Sequence, residues 1–182
     1  MESYRDATVD DLVGPNLRLL FVGINPGLWT AATGTHFAHP GNRFYPALFR
    51  AGVIEREIAR GAGMDDADRA HLIERGIGIT NVVARATAKA SELSSAELCA
   101  GGQRLAGFVE QHRPAVVAIA GITAYRTAFG DRVAQPGRQP GSFVGAELWI
   151  VPNPSGLNAH ETIDTLAASY RAPALAAGII LN

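Results

Sequence analysis

The sequence predicts an α/β protein: a three-layer α/β/α domain with a central, mostly parallel, four-stranded sheet. Three observations favour this class. Four short apolar runs are typical of strands buried on both faces, helical patterns separate them, and two of the runs end in an Asn-Pro turn. Alternating strands and helices imply parallel pairing, so both turns are expected at one edge of the sheet, where ligands of open α/β sheets bind.

The predicted elements alternate along the chain. Strands are expected at residues 17–22, 77–83, 115–120 and 147–151, and helices at residues 42–51, 65–75, 94–112, 123–129 and 161–177. Ser94 and Glu97 have the spacing of a capping box at the start of the third helix, and Pro173 is expected to kink or end the last one. The Pro-Gly pairs within residues 130–145 predict a surface excursion before the last strand.

Length and composition limit the possible classes. The 182 residues fit a single domain, residues 1–182, and the one cysteine excludes an intramolecular disulfide and an all-cysteine metal site. No apolar run approaches the roughly 20 residues that span a bilayer, and the acidic start of the chain is unlike a signal peptide, so a cytoplasmic protein without membrane contact is expected. A net charge of -1 means that any nucleic-acid surface must be a local patch.

The first Asn-Pro turn, residues 23–27, follows the first strand. It lacks the glycine spacing and the Lys-Ser/Thr ending of nucleotide-phosphate loops, which disfavours a dinucleotide or triphosphate site. The Asn25 carboxamide can donate and accept hydrogen bonds at once, which suits the orientation of a nucleophilic water. A purely structural turn is the alternative, because glycine and proline mark turns wherever they follow strands.

Four blocks of sequence together resemble the mismatch-specific uracil-DNA glycosylase and thymine-DNA glycosylase family of the uracil-DNA glycosylase superfamily. They are residues 23–28, 37–44, 78–83 and 153–157, and the similarity extends from about residue 17 to residue 170. The resemblance implies a uracil-DNA glycosylase-like fold and a monofunctional DNA glycosylase of base excision repair. Such an enzyme flips a pyrimidine out of the duplex and hydrolyses its N-glycosidic bond, leaving an abasic site.

The resemblance also implies the partners. The expected substrate is double-stranded DNA with a mismatched or damaged pyrimidine: uracil first, ethenocytosine next and thymine weakly. No cofactor is expected, the protein is expected to act as a monomer on nucleoid DNA, and a downstream abasic-site endonuclease is a further expected partner. Two alternatives are a non-catalytic mismatch-binding protein of the same fold and a small-molecule enzyme of nucleotide metabolism.

The resemblance assigns roles to individual residues. Asn25 positions the attacking water, and Phe37 stacks on the flipped base. The expected base pocket comprises Ile24, Thr30, Phe37, Asn42 and Thr80. The expected wedge and phosphate contacts are Asn153, Ser155, Gly156, Leu157, Asn158, His160 and Lys89.

Three positions leave alternatives open. Leu157 is expected to be an exposed plug that fills the opened base step, with ordinary core packing as the alternative. Ala159 stands where many relatives have a basic residue, and His160 is the candidate replacement. Trp29 either narrows the pocket entrance or packs against a helix.

No metal site is predicted. His36 and His39 are the only histidines close in sequence, and neither cysteine nor carboxylate joins them at ligand spacing. The acidic residues at 65–68 are interpreted as the start of a helix, where negative charge is favourable.

Overall fold

The computed structural model, which describes residues 1–181, places the apolar runs side by side in one sheet. Asn182, the last residue of the expected domain, lies outside the described residues. The strands are β1 (Leu19–Gly23), β2 (Ile77–Asn81), β3 (Val116–Ala120), β4 (Gly137–Arg138) and β5 (Glu147–Val151). The helices are α1 (Leu28–Thr33), α2 (Phe44–Arg50), α3 (Asp66–Glu74), α4 (Ser95–His112), α5 (Ile122–Phe129) and α6 (Ile163–Ala176).

The sheet has the order β2-β1-β3-β5-β4, and its pairs are parallel except the last. This confirms the predicted α/β class and the mostly parallel sheet. The predicted number of four strands was wrong, because the segment 130–145 contributes β4, which pairs with β5 through Gly137 and Arg138. Two residues are too short to show the period-two pattern from which strands are predicted.

Strand β1 is buried on both faces, as its continuous apolar pattern predicts. Leu19 and Phe21 belong to the core cluster shared with α2 and α6. Leu20 and Val22 belong to the cluster shared with α4 and α5. The helices therefore form a layer on each side of the sheet.

Two predicted helix starts show the expected capping, and one of the two alternatives for the last helix is excluded. The Ser94 hydroxyl accepts from Glu97 N (3.2 Å), and the Glu97 carboxylate accepts from Ser94 N (2.9 Å), which confirms the capping box before α4. Asp65 and Asp68 cap α3 in the same way. Pro173, in contrast, does not end α6, which continues to residue 176. The buried face of α6, including Tyr170, packs into the core and holds the helix beyond the proline.

No helix within residues 1–181 has both the length and the apolar character needed to cross a membrane.

Candidate active site

The two Asn-Pro turns open onto the same edge of the sheet. The first follows β1 and the second follows β5, with β3 between them, so about two interstrand spacings, roughly 10 Å, separate their starting points. β1 is also where the chain order reverses, with β2 on one side and β3 on the other. A pocket of about 430 Å³ lies at this edge and is lined by both turns. Its position and size are those of ligand sites in α/β proteins.

The Asn25 side chain is held rigidly by its amide nitrogen. Nδ2 donates to Arg85 O (2.9 Å), to Thr87 Oγ1 (2.8 Å) and to Pro26 O (3.2 Å). Because a peptide carbonyl can only accept, these bonds settle which end of the amide is which. Within residues 1–181 no group donates to Asn25 Oδ1, and that oxygen is not buried. The side chain therefore presents a hydrogen-bond acceptor at the pocket.

The loop that holds Asn25 is itself anchored by charge. The Arg85 guanidinium donates to Glu97 Oε1 and to Asp6 Oδ1, each at 2.8 Å. The hydrogen bond from Arg85, together with those from the Ser94 backbone and hydroxyl, lowers the pKa of Glu97 to about 2. The Glu97 carboxylate is therefore charged at neutral pH, and the backbone of Arg85 is held where it accepts from Asn25.

Phe37 forms an aromatic wall of the pocket. Its backbone has a φ of 56°, which an L residue rarely adopts, and its ring stacks on Phe44 with centroids 4.1 Å apart and planes inclined by 28°. Phe37 is half-buried and lines the pocket. A planar ring fixed in this way can stack on a flat ligand.

A buried histidine and an asparagine form the floor. His36 Nε2 lies 3.0 Å from Asp10 O, and Asn81 Nδ2 lies 3.2 Å from His36 Nδ1. Burial lowers the pKa of His36, and this effect outweighs the backbone carbonyl of Asp10, which raises it. Asn81 Oδ1 lies over Gly23, where a Cβ would approach it to 2.5 Å. Glycine at this position therefore leaves room for the asparagine at the pocket.

A clamp centred on Arg43 shapes the second turn. Its guanidinium donates to three backbone carbonyls, those of Ser155 (2.6 Å), Asn158 (2.8 Å) and Glu161, and its amide donates to Pro154 O (3.0 Å). Arg43 Nε is buried and has no partner within residues 1–181. The arginine therefore acts as an internal scaffold for the loop and is not available as a free cation.

The tip of the second turn projects into solvent. Leu157 is 87% exposed, although it is a large apolar residue. Ser155 Oγ accepts from Leu157 N (3.2 Å), and Asn158 Nδ2 donates to Asn153 O (3.1 Å). The loop is therefore ordered by its own polar groups, and core packing, the alternative considered for Leu157, is wrong.

The second turn and the loop that precedes α2 approach each other through glycine. A Cβ on Gly156 would lie 2.7 Å from the carbonyl oxygen of Gly41, so only glycine allows the backbones to approach this closely. Trp29 and His39 complete the rim, with ring centroids 6.0 Å apart and nearly perpendicular planes. Trp29 thus lines the pocket as well as packing on a neighbour.

The structure brings most of the predicted site residues together. Those that line the pocket are Ile24, Asn25, Thr30, Phe37, Asn42, Asn153, Ser155, Gly156 and Leu157. Four predicted residues are not among the lining residues: Thr80, Asn158, His160 and Lys89. The Thr80 hydroxyl donates to Asp11 Oδ1 (2.6 Å), and Asn158 lines a neighbouring pocket. His160 is exposed beyond the tip of the second turn, and Lys89 is exposed between the lining residues Ala88 and Ala90.

Within residues 1–181, three arginines near this edge are engaged by other groups and do not form a free basic patch. Arg43 clamps the second turn, Arg85 pairs with Asp6 and Glu97, and Arg50 pairs with Asp164 (2.8 Å). Contacts to a phosphate backbone would therefore depend more on amide and hydroxyl groups than on unpaired arginines.

Three residues of the site were not among those that the sequence predicted for the pocket. They are Asn81, Thr87 and His36. Thr87 accepts from the amide of Asn25, and His36 contacts the amide of Asn81. A usable signal existed for Asn81, because it is the last residue of a buried strand and pairs in register with Gly23 of the first turn.

The protein is an α/β protein with a ligand site shared by two turns. The site lies at the carboxyl edge of a mostly parallel sheet and combines an oriented amide with an exposed apolar tip. Residues 11–173 match the uracil DNA glycosylase superfamily, and the chain belongs to that superfamily. The fold is similar to the solution NMR structure of a candidate uracil DNA glycosylase from Methanosarcina acetivorans, with a TM-score of 0.62 and 17% identity. That match covers 91% of this chain and 96% of the other.

Membership of the superfamily supports a DNA glycosylase, a hydrolase that acts on uracil and has DNA as its partner.

Proposed function

We propose that this protein is a monofunctional, mismatch-directed DNA glycosylase. It flips uracil out of double-stranded DNA, hydrolyses the N-glycosidic bond and leaves an abasic site. Ethenocytosine is a second substrate and thymine a weak one. Support for monofunctional hydrolysis comes from Asn25, whose amide can orient a water but is not a nucleophile that could attack the sugar.

The observation that carries this proposal is the orientation of Asn25. Its amide nitrogen is occupied by Arg85 O and Thr87 Oγ1, which leaves Oδ1 to accept a hydrogen bond from a water. An amide cannot remove a proton strongly, so it suits a dissociative reaction in which the sugar becomes oxocarbenium-like before water adds. Asn25 then needs only to hold the water near the anomeric carbon.

The departing base gathers negative charge as the bond breaks. Backbone N–H groups near Ile24 and Phe37 are proposed to stabilise that anion, because preorganised donors act most strongly where charge develops. The Phe37 ring is proposed to stack on the base, and its stacking on Phe44 fixes the orientation of the ring before the base enters. Slow turnover is expected from a site with no strong general base.

Thr30 is proposed to limit access of the thymine methyl group. It is 4% exposed and lines the pocket. A methyl group in a packed pocket is worth only roughly 1 to 3 kcal/mol of discrimination, so weak thymine excision is compatible with this wall.

The exposed loop supplies the mechanical part of the reaction. A base must leave the stack before its glycosidic bond can be reached, and an apolar side chain can fill the space it vacates. Leu157 is proposed to be that wedge because it is exposed and lies at the pocket mouth. Ser155, Asn158, His160 and Lys89 are proposed to contact the DNA beside it.

The test is cleavage of an end-labelled duplex that contains one G·U pair, followed by alkali. We expect strand breakage with the wild type, and Asn25→Ala should abolish it while largely preserving binding to the duplex. Binding without breakage by the wild type would indicate the non-catalytic mismatch binder, and neither binding nor breakage would indicate a small-molecule enzyme. Full activity of Asn25→Ala would defeat the assignment of Asn25.

A further inference from the structure

The first residues of the chain form an arm on the surface of the molecule. The arm, residues 1–7, includes the 3₁₀ helix Glu2–Tyr4 and lies beside α1. Its first six residues are exposed, and none of the seven belongs to the core clusters of residues 1–181. Because the ordering of a chain segment costs conformational entropy, contacts outside the core must hold the arm in place.

The hydrogen bonds and ion pairs of the arm with the rest of residues 1–181 all go to the loop between β2 and α4. Asp6 N donates to Ala86 O (2.9 Å), and Ala86 N donates to Ala7 O (2.9 Å), as in an antiparallel pair of strands. The Asp6 carboxylate pairs with Arg85 (2.8 Å). Asp6 has a φ of 63°, a conformation that aspartate tolerates better than most residues.

The same loop holds the Asn25 amide. Arg85 O and Thr87 Oγ1 accept from Asn25 Nδ2, and these two residues lie on either side of Ala86. Thr87 N is held from the other side by Pro26 O (3.1 Å). Apart from the arm, no group within residues 1–181 bonds to the backbone of Ala86. The place of Ala86 between the two acceptors therefore depends on the arm.

We propose that the arm is a positioning element of the active site, which holds residues 85–87 where their acceptors orient the Asn25 amide. This inference rests on the proposed function, in which Asn25 holds the attacking water. With the arm detached, Arg85 O and Thr87 Oγ1 would move with a less restrained loop, and Asn25 Oδ1 would no longer point to one place in the pocket. Met1 lines the pocket, so a direct contact between the arm and the DNA is the alternative to be separated.

Two substitutions of Asp6 separate the backbone contact from the charge. Proline has no N–H to donate to Ala86 O and cannot adopt a φ of 63°, so Asp6→Pro detaches the arm. Asparagine adopts that φ readily and keeps the N–H, so Asp6→Asn removes only the exposed ion pair with Arg85. The fold should persist in both variants, because the arm contains no buried residue.

Single-turnover excision of uracil from a G·U duplex at saturating enzyme measures the chemical step. Titration of a duplex with tetrahydrofuran at the target position measures binding. For Asp6→Pro we expect the excision rate constant to fall about fivefold to tenfold, the change expected for loss of one orienting hydrogen bond, with binding unchanged. Asp6→Asn should lose no more than about threefold, since exposed ion pairs contribute little.

The matched control for the ion pair is Arg138→Gln. It removes an exposed pair with Glu147 (3.0 Å) on the edge of the sheet opposite the loop, and it should leave excision unchanged.

A double-mutant cycle with Thr87→Val identifies the route of the effect. If the arm acts through the Asn25 amide, Asp6→Pro should slow excision clearly less in the Thr87→Val protein than in the wild type, because both changes release the same group. Additive losses would mean that the arm acts by another route, and the inference would then be wrong.

Solvent exchange of the Asn25 side-chain amide, followed in ¹H–¹⁵N spectra, tests the inference without activity. We expect the Nδ2 protons to exchange about fivefold or more faster in Asp6→Pro than in the wild type. The Nδ2 protons of Asn153, in the other turn, are the internal reference and should not change. The wild-type spectra do not depend on the folding of a variant.

Three further outcomes overturn the inference: wild-type Asn25 protons that exchange as fast as those of an exposed asparagine, an unchanged excision rate in Asp6→Pro, or a loss in Asp6→Pro that is confined to binding. The last would indicate direct contact of the arm with DNA. If the wild type releases no uracil from G·U DNA, the proposed function fails, and the exchange rates still decide whether the arm orients the amide.

Discussion

The Thr87 hydroxyl decides how the asparagine at the centre of the site is oriented. It donates to Lys89 O (2.9 Å), so its oxygen lone pair is what meets the Asn25 amide. We expect Thr87→Val, which keeps the shape but removes the acceptor, to lower kcat for uracil excision about tenfold, since one hydrogen bond of roughly 1 to 1.5 kcal/mol orients the amide. Steady-state kinetics with a G·U duplex at varied concentration measure kcat and KM, and single-turnover kinetics test whether the excision step itself is slowed.

The matched control is Thr127→Val on α5, whose hydroxyl, among the described residues, bonds only to Thr123 O in the preceding turn of its own helix (3.2 Å). It should leave kcat unchanged. Equal losses in both variants, or a change confined to KM for Thr87→Val, would speak against an orienting role for Thr87.

Thr80 was predicted to line the pocket, whereas its neighbour on the strand, Asn81, lines it in the structure. Side chains of Thr80 and Asn81 leave β2 in opposite directions, so only one can face the site. The sequence block that contains both does not say which one does. In the structure Thr80 bonds to Asp11, and Asn81 bonds to His36. Asn81 faces the site because the strand register places it beside Gly23.

At the scale of elements, the loop proposed to carry the wedge is held by a residue beside a helix to which it is not joined in sequence. Arg43 immediately precedes α2 and holds the carbonyls of Ser155 and Asn158. We expect Arg43→Ala to loosen the loop and lower uracil excision from duplex DNA by about tenfold or more, with a smaller effect on single-stranded DNA, where no stack has to be opened.

Comparison with Leu157→Ala sharpens this test. That substitution removes the exposed side chain while retaining the clamp, and it should show the same preference for single-stranded substrate with little change in melting temperature. Arg132→Ala, an exposed position in the loop after α5, is the control. A loss of equal size on both substrates for Arg43→Ala would indicate a general fault in the fold.

Long elements with a regular pattern could be predicted from the sequence, and short ones could not. The β1 run and the 18-residue helix α4 show clear apolar patterns and capping residues. α1 has six residues and β4 two, lengths at which no periodicity can be read. The site follows the same rule, because Asn25 and Leu157 lie in recognisable turns, whereas the arginine clamp joins residues more than 100 positions apart.

For the whole molecule, burial of His36 links stability to pH. Its pKa is lowered in the folded state, chiefly by burial, so the unfolded chain binds the proton first as pH falls below the usual value of 6.5. The unfolded state then holds more protons, and stability decreases toward acid. We expect the melting temperature to fall between pH 7.5 and pH 5.5, and to fall less in His36→Gln.

Calorimetric scans of both proteins at the two pH values measure this difference. Other titrating groups are shared by the two proteins and cancel in the comparison. Equal decreases would mean that His36 takes its proton as readily in the fold as in the unfolded chain.

The close approach of Gly156 to Gly41 joins parts of the molecule that are far apart in sequence. Because Arg43 also ties this loop to the start of α2, Leu157, the proposed wedge, is held to the wall of the pocket. Insertion of Leu157 into the base stack and placement of the pocket beside the displaced base would then occur in one step rather than in two successive events. A weakly paired base would enter the pocket in the same step in which Leu157 inserts. A well-paired base would resist that insertion and stay in the duplex.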